Sequence, residues 1–447
     1  MAAFAAPDGT ASLAGTAMPV SRMTIGLSDR IHLGEPVNAL IGPIELPDLG
    51  TVRDNIAAFT SYGPHTRLAL RPDDTGTRWV HDPRRLLDSV EVIDEPADPL
   101  SLLVPTGRPN APMRITLAGR YLRTEHDHGV GEIRFGLLAH QVITGAVDPR
   151  DPAIQAQITR RWDGLATAAV RVFGSRPTRV RDAFRSIRTT AATPAAFTPT
   201  AFSPTTDFPI DAGQPAGTRR PTPSGPYAVE VAAMPTATLG ELRAWRDSAI
   251  PGVSLFALVV AGLTRALLGA GIAVDDMGTL PVDLRRYLPA NTNPLANFVS
   301  GVQLPLRDGS DPARLHNDLV AAVASGRPIL SLARVTALSR AAELPAPIGR
   351  DPHVPPPDTT RAPLVFTGIQ AHQQLLDSYP WIDRGASIYV TGAHPAAPHG
   401  ITLQSATVHD RLLISASFQP DVYRRGQLRA ALDAFVADPV EVLRECG

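Results

Sequence analysis

A chain of 447 residues exceeds what one ordinary core accommodates, and 44% hydrophobic with 19% charged residues is a globular composition, so two or more domains are expected. The formal net charge of -1 gives no polyelectrolyte reason to expect nucleic acid or an anionic membrane surface as partner. All 42 basic residues are arginine, which excludes a Schiff-base lysine, a P-loop lysine and a lysine general base; the single cysteine, Cys446, excludes an intramolecular disulfide, a zinc–thiolate cluster and an iron–sulfur site, and suits a reducing, cytoplasmic setting.

The chain opens on AAFAAPDGTASLAGTA, which is broken by Pro7, Asp8 and Gly9 and precedes the first basic residue, Arg22; it reads as a loose leader and lacks the charged start and apolar core of a secretory signal. NALIGPIEL predicts a strand, LGTVRDNIAAFTSYG a helix, and APMRITLAGRYLRTEHDHG one or two strands leading into a turn. Helical spacing follows Asp151 in DPAIQAQITRRWDGLATAAVRVFG, then the arginine-containing run SRPTRVRDAFRSIR, which fits a solvated helix face. The segment Ala191–Pro226 is rich in Pro, Thr and Ala without periodicity and reads as a linker, dividing the chain into residues 1–190, 191–226 and 227–447.

The second half begins with a strand, YAVEVAAM, and a capping-box pattern, Thr238 with Glu241 three residues on, at the start of LGELRAWRD. The longest apolar run, Ser254–Ala270, contains Thr264 and Arg265 and falls short of the ~20 apolar residues that cross a bilayer, so it reads as a buried helix and no integral membrane segment is expected. Strands follow in GIAVDDMGTLPVDLRRYLP, FVSGVQLPL and APLVFTGIQ, a helix in DPARLHNDLVAAVASG, and a strand in LLISASF with Ile414, Ala416 and Phe418 on one face. A Pro-rich stretch, Leu344–Pro363, reads as a long loop, and an amphipathic helix carrying Leu428, Leu432 and Phe435 ends the chain. The doubled pattern of sheets with covering helices is an α+β arrangement.

The most unusual local sequence is RTEHDHGVGEIRFGLLAHQ, in which a strand ends in alternating polar residues and close glycines before a helix begins. Glycine there allows a sharp turn or a positive φ, and such a corner presents a side chain at the end of a sheet, where it can reach a ligand. His128 occupies the corner. The glycines of GVGEIRFG lack dinucleotide-binding spacing, and no GxSxG nucleophile elbow occurs, so a serine-hydrolase mechanism has no sequence support.

DHGVGEI resembles the HHxxxDG motif of the superfamily that holds chloramphenicol acetyltransferase, peptide-synthetase condensation domains, polyketide-associated acyltransferases and wax ester synthases. Asp127 takes the place of the first His, His128 keeps the catalytic place, Glu132 replaces Asp and Ile133 replaces Gly. In the second half, PVDLRRYLPANTNPLANFVSGVQLPL resembles the family segment in which an arginine ends a strand and a Gly-Asn pair follows, with Arg285 and Asn297 at the matching positions and Ala296 where glycine is usual. LVFTGIQ resembles the family's Ser-Asn-x-Gly strand, and the layout agrees over about residues 20–440. The DFGWG motif of peptide-synthetase condensation domains has no clear counterpart, which favours a free-standing acyltransferase.

The resemblance implies two chloramphenicol-acetyltransferase-like subdomains in a V with a central tunnel, entered from one face by an acyl thioester and from the other by a small-molecule acceptor. It implies no tightly bound cofactor, an acyl-CoA or acyl-phosphopantetheine co-substrate, an acyl or peptidyl carrier protein as a partner, and ester or amide formation in specialised-metabolite or lipid biosynthesis. His128 is then the general base, suited by an ordinary imidazole pKa of ~6.5. Glu132 bridges to Arg285 across the subdomains with a longer reach than Asp, Asn297 and Gly129 lie on the substrate side, and Asp127 either raises the imidazole pKa or points to the opposite face of its strand.

Other readings of the same residues stay open. HxxxE spacings occur in many proteins, and His128 also fits a polar turn residue without chemistry. His126 and His128, two apart on a strand, fit a metal pair with His140 or His399 as a third ligand. Loss of three motif positions fits a catalytically silent module that binds a carrier protein, or a tunnel turned to cyclisation.

Overall fold

The structure, a computed structural model, describes residues 20–106, 111–158, 164–174, 178–181, 183–184, 226–290, 292, 294–306, 311–342, 361–369 and 372–444. The leader, the linker up to residue 225, much of the arginine run, most of the second Pro-rich stretch and Cys446 lie outside the described residues.

The first half builds a five-stranded sheet around two apolar strands. β2 (Pro36–Gly42) and β7 (Tyr121–Asp127) pair antiparallel, and β7 turns back on β6 (Met113–Ala118), with Gly119 at φ 59 in the turn between them. β5 (Val90–Ile93) adds to β6 in parallel. A small antiparallel sheet of β1 (Ser21–Thr24), β4 (Arg78–His81) and β3 (Leu70–Pro72) lies beside it. The helix Leu49–Thr60, capped by the Asp48 carboxylate on the Thr51 amide, and the helix Ile133–Thr144 cover the larger sheet, burying Val52, Ile56, Phe59, Phe135 and Leu137 with Leu40, Ile41 and Trp79.

The second half builds a six-stranded mixed sheet in the order β10 (Val299–Pro305), β9 (Val274–Asp283), β11 (Ala362–Gly368), β13 (Ile401–Val408), β14 (Arg411–Phe418), β8 (Ala228–Met234). Its outer face packs on the helix Leu255–Gly269, whose run from Ala257 to Thr264 is buried throughout, and on Leu428, Leu432 and Phe435 of the helix Arg425–Ala437. Along β14 the side chains alternate as expected: Leu412, Ile414, Ala416 and Phe418 enter this core, while Leu413 enters the first-half core with Val231, Ala406 and Val408. The outer face of the six-stranded sheet is therefore apolar, while its inner face joins the two halves through these apolar residues beside the buried polar side chains Gln404, Ser415 and Ser417.

A second connection runs through the sheet edge. β12 (Ile388–Ala393), from the second half, pairs antiparallel with β2 over Ile388 to Ala393, becoming an edge strand of the first-half sheet.

Local readings differ from the structure in several places. The helix after Asp151 is two helices, Pro152–Gln157 and Gly164–Phe173. The capping box at Thr238 and Glu241 does not form, because the helix Thr236–Ala249 begins three residues earlier behind Pro235, which has no side chain able to accept from the first turn. β1, β3, β4, β5, β12 and β13 have no counterpart in the sequence reading; most are short or carry polar residues, so their alternation is weak. Among the described residues no single helix is long and apolar enough to cross a bilayer.

Candidate functional site

β7 places Arg123 and Glu125 on one face and Thr124 and His126 on the other. Arg123 and Glu125 form a buried pair at 2.6 Å; Arg123 also donates to the side chain of Asn38, whose amide donates to the Tyr227 hydroxyl, and that hydroxyl in turn donates to the carbonyl of Gly392 at 2.9 Å. Behind the strand, His126 meets Phe135 edge-on at 5.3 Å, and His140 shares a 2.7 Å hydrogen bond with Thr124.

At the strand end Asp127 caps a single 3-10 turn, His128–Val130. Its carboxylate accepts from the amides of Gly129 at 2.8 Å and Gly34 at 2.7 Å, pinning the loop that precedes β2 to the end of β7. Through these bonds the Asp127 carboxylate shapes the turn. The His128 amide donates to the carbonyl of Glu35 at 2.7 Å, and the ring of His32 stacks on that of His128 with centroids 4.5 Å apart and planes 17° apart. His32 Nδ1 lies 3.1 Å from a Glu35 carboxylate oxygen.

The second half reaches the same turn through two side chains. Asn297, buried in the loop before β10, donates its side-chain amide to the carbonyls of His128 at 2.8 Å and Gly129 at 3.1 Å. Arg285, in the turn that follows β9, forms a buried ion pair with Glu132 and a second with Asp283 at 3.0 Å, and donates to the carbonyls of Pro294 and Ala296. The extra methylene of Glu132 thus reaches the arginine, and Ile133, standing where glycine is expected, becomes the first residue of the helix Ile133–Thr144. His128, Asp127, Glu132, Arg285, Asn297 and Gly129 all converge on this one turn.

Four further residues converge there without any signal in the sequence reading. Asp29, 3% exposed, accepts from Arg67 at 2.7 Å, from the Asn297 backbone amide at 3.1 Å and from the Trp79 indole at 3.4 Å. Arg67 also donates to the carbonyls of Gly129 and Val130, from a left-handed backbone with φ 65 that is costly for a branched-off side chain. His32 and Glu35 complete the set. Their partners lie 38 to 268 residues away in sequence, or depend on a loop shape that no periodicity encodes.

Electrostatically the turn sets imidazoles of lowered pKa next to one whose pKa is raised. Burial, with a smaller contribution from His32, pushes the His128 pKa down to about 4. Burial also lowers His126 and His140, each to about 3. His32 moves the other way: burial opposes its charge, but the hydrogen bond and charge of Glu35, with Asp29 and Asp127 nearby, hold it above the ordinary imidazole range. For Arg285, burial is likewise outweighed by the Glu132 and Asp283 carboxylates, which keep its pKa raised.

The metal reading does not fit this geometry. His126 packs on Phe135, and His140 is engaged with Thr124. Among the described residues no group of three His, Cys, Asp or Glu side chains is placed to hold a metal ion.

Compared with known proteins, the sequence matches no protein-family profile and no curated protein. The fold, in contrast, matches solved structures along nearly its whole length. It superposes on the TRI3 trichothecene 15-O-acetyltransferase from Fusarium sporotrichioides with a TM-score of 0.57 at 11% identity, covering 95% of this chain and 96% of that one. Polyketide synthase associated protein 5 from Mycobacterium tuberculosis matches with a TM-score of 0.55 at 16% identity, covering 95% and 100%. The condensation domain from the Monacolin K polyketide synthase MokA matches with a TM-score of 0.53 at 13% identity, covering 97% and 99%. The chain has the condensation-domain-like fold. Within that fold, the DHGVGEI turn sits where the first-half sheet ends and the second-half loops of Arg285 and Asn297 close over it.

Proposed function

We propose that the protein transfers an acyl group from a thioester, on coenzyme A or on the phosphopantetheine of an acyl or peptidyl carrier protein, to a hydroxyl or amine of a small-molecule acceptor. The observation that carries this reading is the position of His128: an imidazole at a strand end, at the junction of the two halves, tied down by Asp127, Glu35 and Asn297 through its neighbouring backbone. Its low pKa keeps it neutral, and so able to accept a proton, throughout the neutral range.

The acceptor's oxygen or nitrogen attacks the thioester carbonyl as His128 takes its proton. The tetrahedral intermediate then collapses, the carbon–sulfur bond breaks, and the proton passes from His128 to the departing thiolate. Histidine does this without an acyl-enzyme. Glu132, Arg285 and Asn297 hold the turn. A chain whose one cysteine is Cys446 suits a reducing compartment such as the cytoplasm.

The same low pKa makes His128 a weaker base than free imidazole, which favours one second reading: a silent module of this fold that binds a carrier protein. Incubating the protein with a panel of acyl thioesters and alcohol or amine acceptors separates the two. Acyl transfer is expected from the wild type and a loss of at least 100-fold from His128→Ala, the scale of a general base. Equal turnover by both proteins removes His128 from the mechanism, and thioester binding without turnover by either supports the silent module.

A further inference from the structure

Two parallel imidazoles 4.5 Å apart do not both carry a proton at ordinary pH, because like charges at that distance repel strongly in a partly buried site. The surroundings decide which ring is charged. His32 has the Glu35 carboxylate 3.1 Å from its Nδ1, with Asp29 and Asp127 also facing it, and keeps a side-chain exposure of 28% through which solvent exchanges protons. His128 faces His32, His126, the Asn297 side chain and, at longer range, Glu35, and among the described residues its Nδ1 is buried without a hydrogen-bond partner. Glu35 in turn feels both rings and His394.

We propose that His32, anchored by Glu35, is a positioning residue for His128: its ring fixes the plane of the His128 imidazole by stacking and takes up a proton in preference to it. The directions of the pKa shifts agree, with His32 raised and His128 lowered to about 4. Because the Glu35 carbonyl accepts from the His128 amide while its carboxylate holds the His32 ring, one residue sets both the height of the turn and the lateral position of the stack. The inference rests on the reading of His128 as the base. There, a neighbouring ring that takes up a proton in preference to it keeps His128 deprotonated before attack and hastens transfer of the captured proton to the leaving thiolate.

The test follows the ring protons of isotopically labelled histidine by NMR across pH 3 to 9, on the full chain and without any acyl substrate. In the wild type, the resonance lost in His32→Phe titrates above ordinary imidazole, and the one lost in His128→Gln titrates below it. His32→Phe keeps a stacking ring without charge, so the His128 titration is expected to rise by about one unit. Glu35→Gln, which keeps both rings, is expected to lower the His32 titration. If acyl transfer is found, the acid limb of kcat/KM moves up with His128 in His32→Phe. An unmoved His128 titration in His32→Phe, or an unmoved His32 titration in Glu35→Gln, overturns the proposal. Inactivity toward thioesters with these shifts intact overturns the acyl-transfer reading instead.

Discussion

Asn297 and His128 are joined across 169 residues of sequence by a 2.8 Å hydrogen bond from the Asn297 side-chain amide to the His128 carbonyl, with a second to Gly129 at 3.1 Å. The catalytic candidate is thus held by its backbone from the opposite half, while its ring stacks on that of His32.

Asn297→Ala leaves those carbonyls without this donor in a buried place and is expected to cost about 1–3 kcal/mol of stability. Asn297→Asp, of the same shape, is expected to cost more, because a carboxylate then faces two carbonyls and the buried carboxylate of Asp29. Urea denaturation of both variants checks the order; an Asp variant at least as stable as the Ala variant contradicts it.

The ion pair of Glu132 with Arg285 is buried on both sides. Removing one partner, as in Glu132→Ala, leaves the buried guanidinium with Asp283 as its remaining carboxylate and is expected to cost about 1–3 kcal/mol. Glu132→Asp, which restores the acid that the related motif uses, withdraws the carboxylate by one methylene and is expected to destabilise rather than rescue, by about 1–2 kcal/mol. An aspartate variant as stable as the parent by thermal denaturation shows that the turn adjusts and defeats this prediction.

Gly131 has φ 172, ordinary extended backbone, so its need is for space alone. A Cβ there would lie 2.5 Å from the Cβ of Phe135, which is buried at 1% exposure on the helix Ile133–Thr144. Gly131→Ala is expected to cost about 1–3 kcal/mol and to shift the His128 turn. Circular dichroism melting and the His128 ring resonances read the two effects; an unchanged melting temperature contradicts the crowding.

The buried imidazoles make stability fall in acid. His126 and His140, lowered to about 3, and His128, lowered to about 4, bind protons less readily folded than unfolded. Their contribution is full above the unfolded value of ~6.5 and is lost as pH falls toward 4 and 3, at up to ~1.4 kcal/mol per group and pH unit. Glu35, lowered by its His32 bond despite burial, adds loss in acid below the ordinary carboxylate range. His32, raised, works oppositely: its stabilisation is full below ~6.5 and fades as pH rises through its folded pKa. The melting temperature is therefore expected to drop between pH 7 and 4.5, and less steeply in His140→Gln. A flat profile refutes the depressed imidazoles.

The sequence by itself determined what depends on local pattern. The apolar run around Leu258, the alternation of Ile414, Ala416 and Phe418, and the hairpin ending in His128 follow from side-chain period, and each occupies its expected element. The resemblance also pointed to His128, Glu132, Arg285 and Asn297, which the structure brings together around one turn. Only the tertiary structure decided how they meet: that Asp127 shapes a turn, that Glu132 reaches Arg285, that β12 crosses into the first-half sheet, and that Asp29, Arg67, His32 and Glu35 complete the site. The physical reason is that a long-range hydrogen bond or ion pair depends on where two loops end in space. Period and propensity describe a residue's own segment and carry no information about the loop it will face.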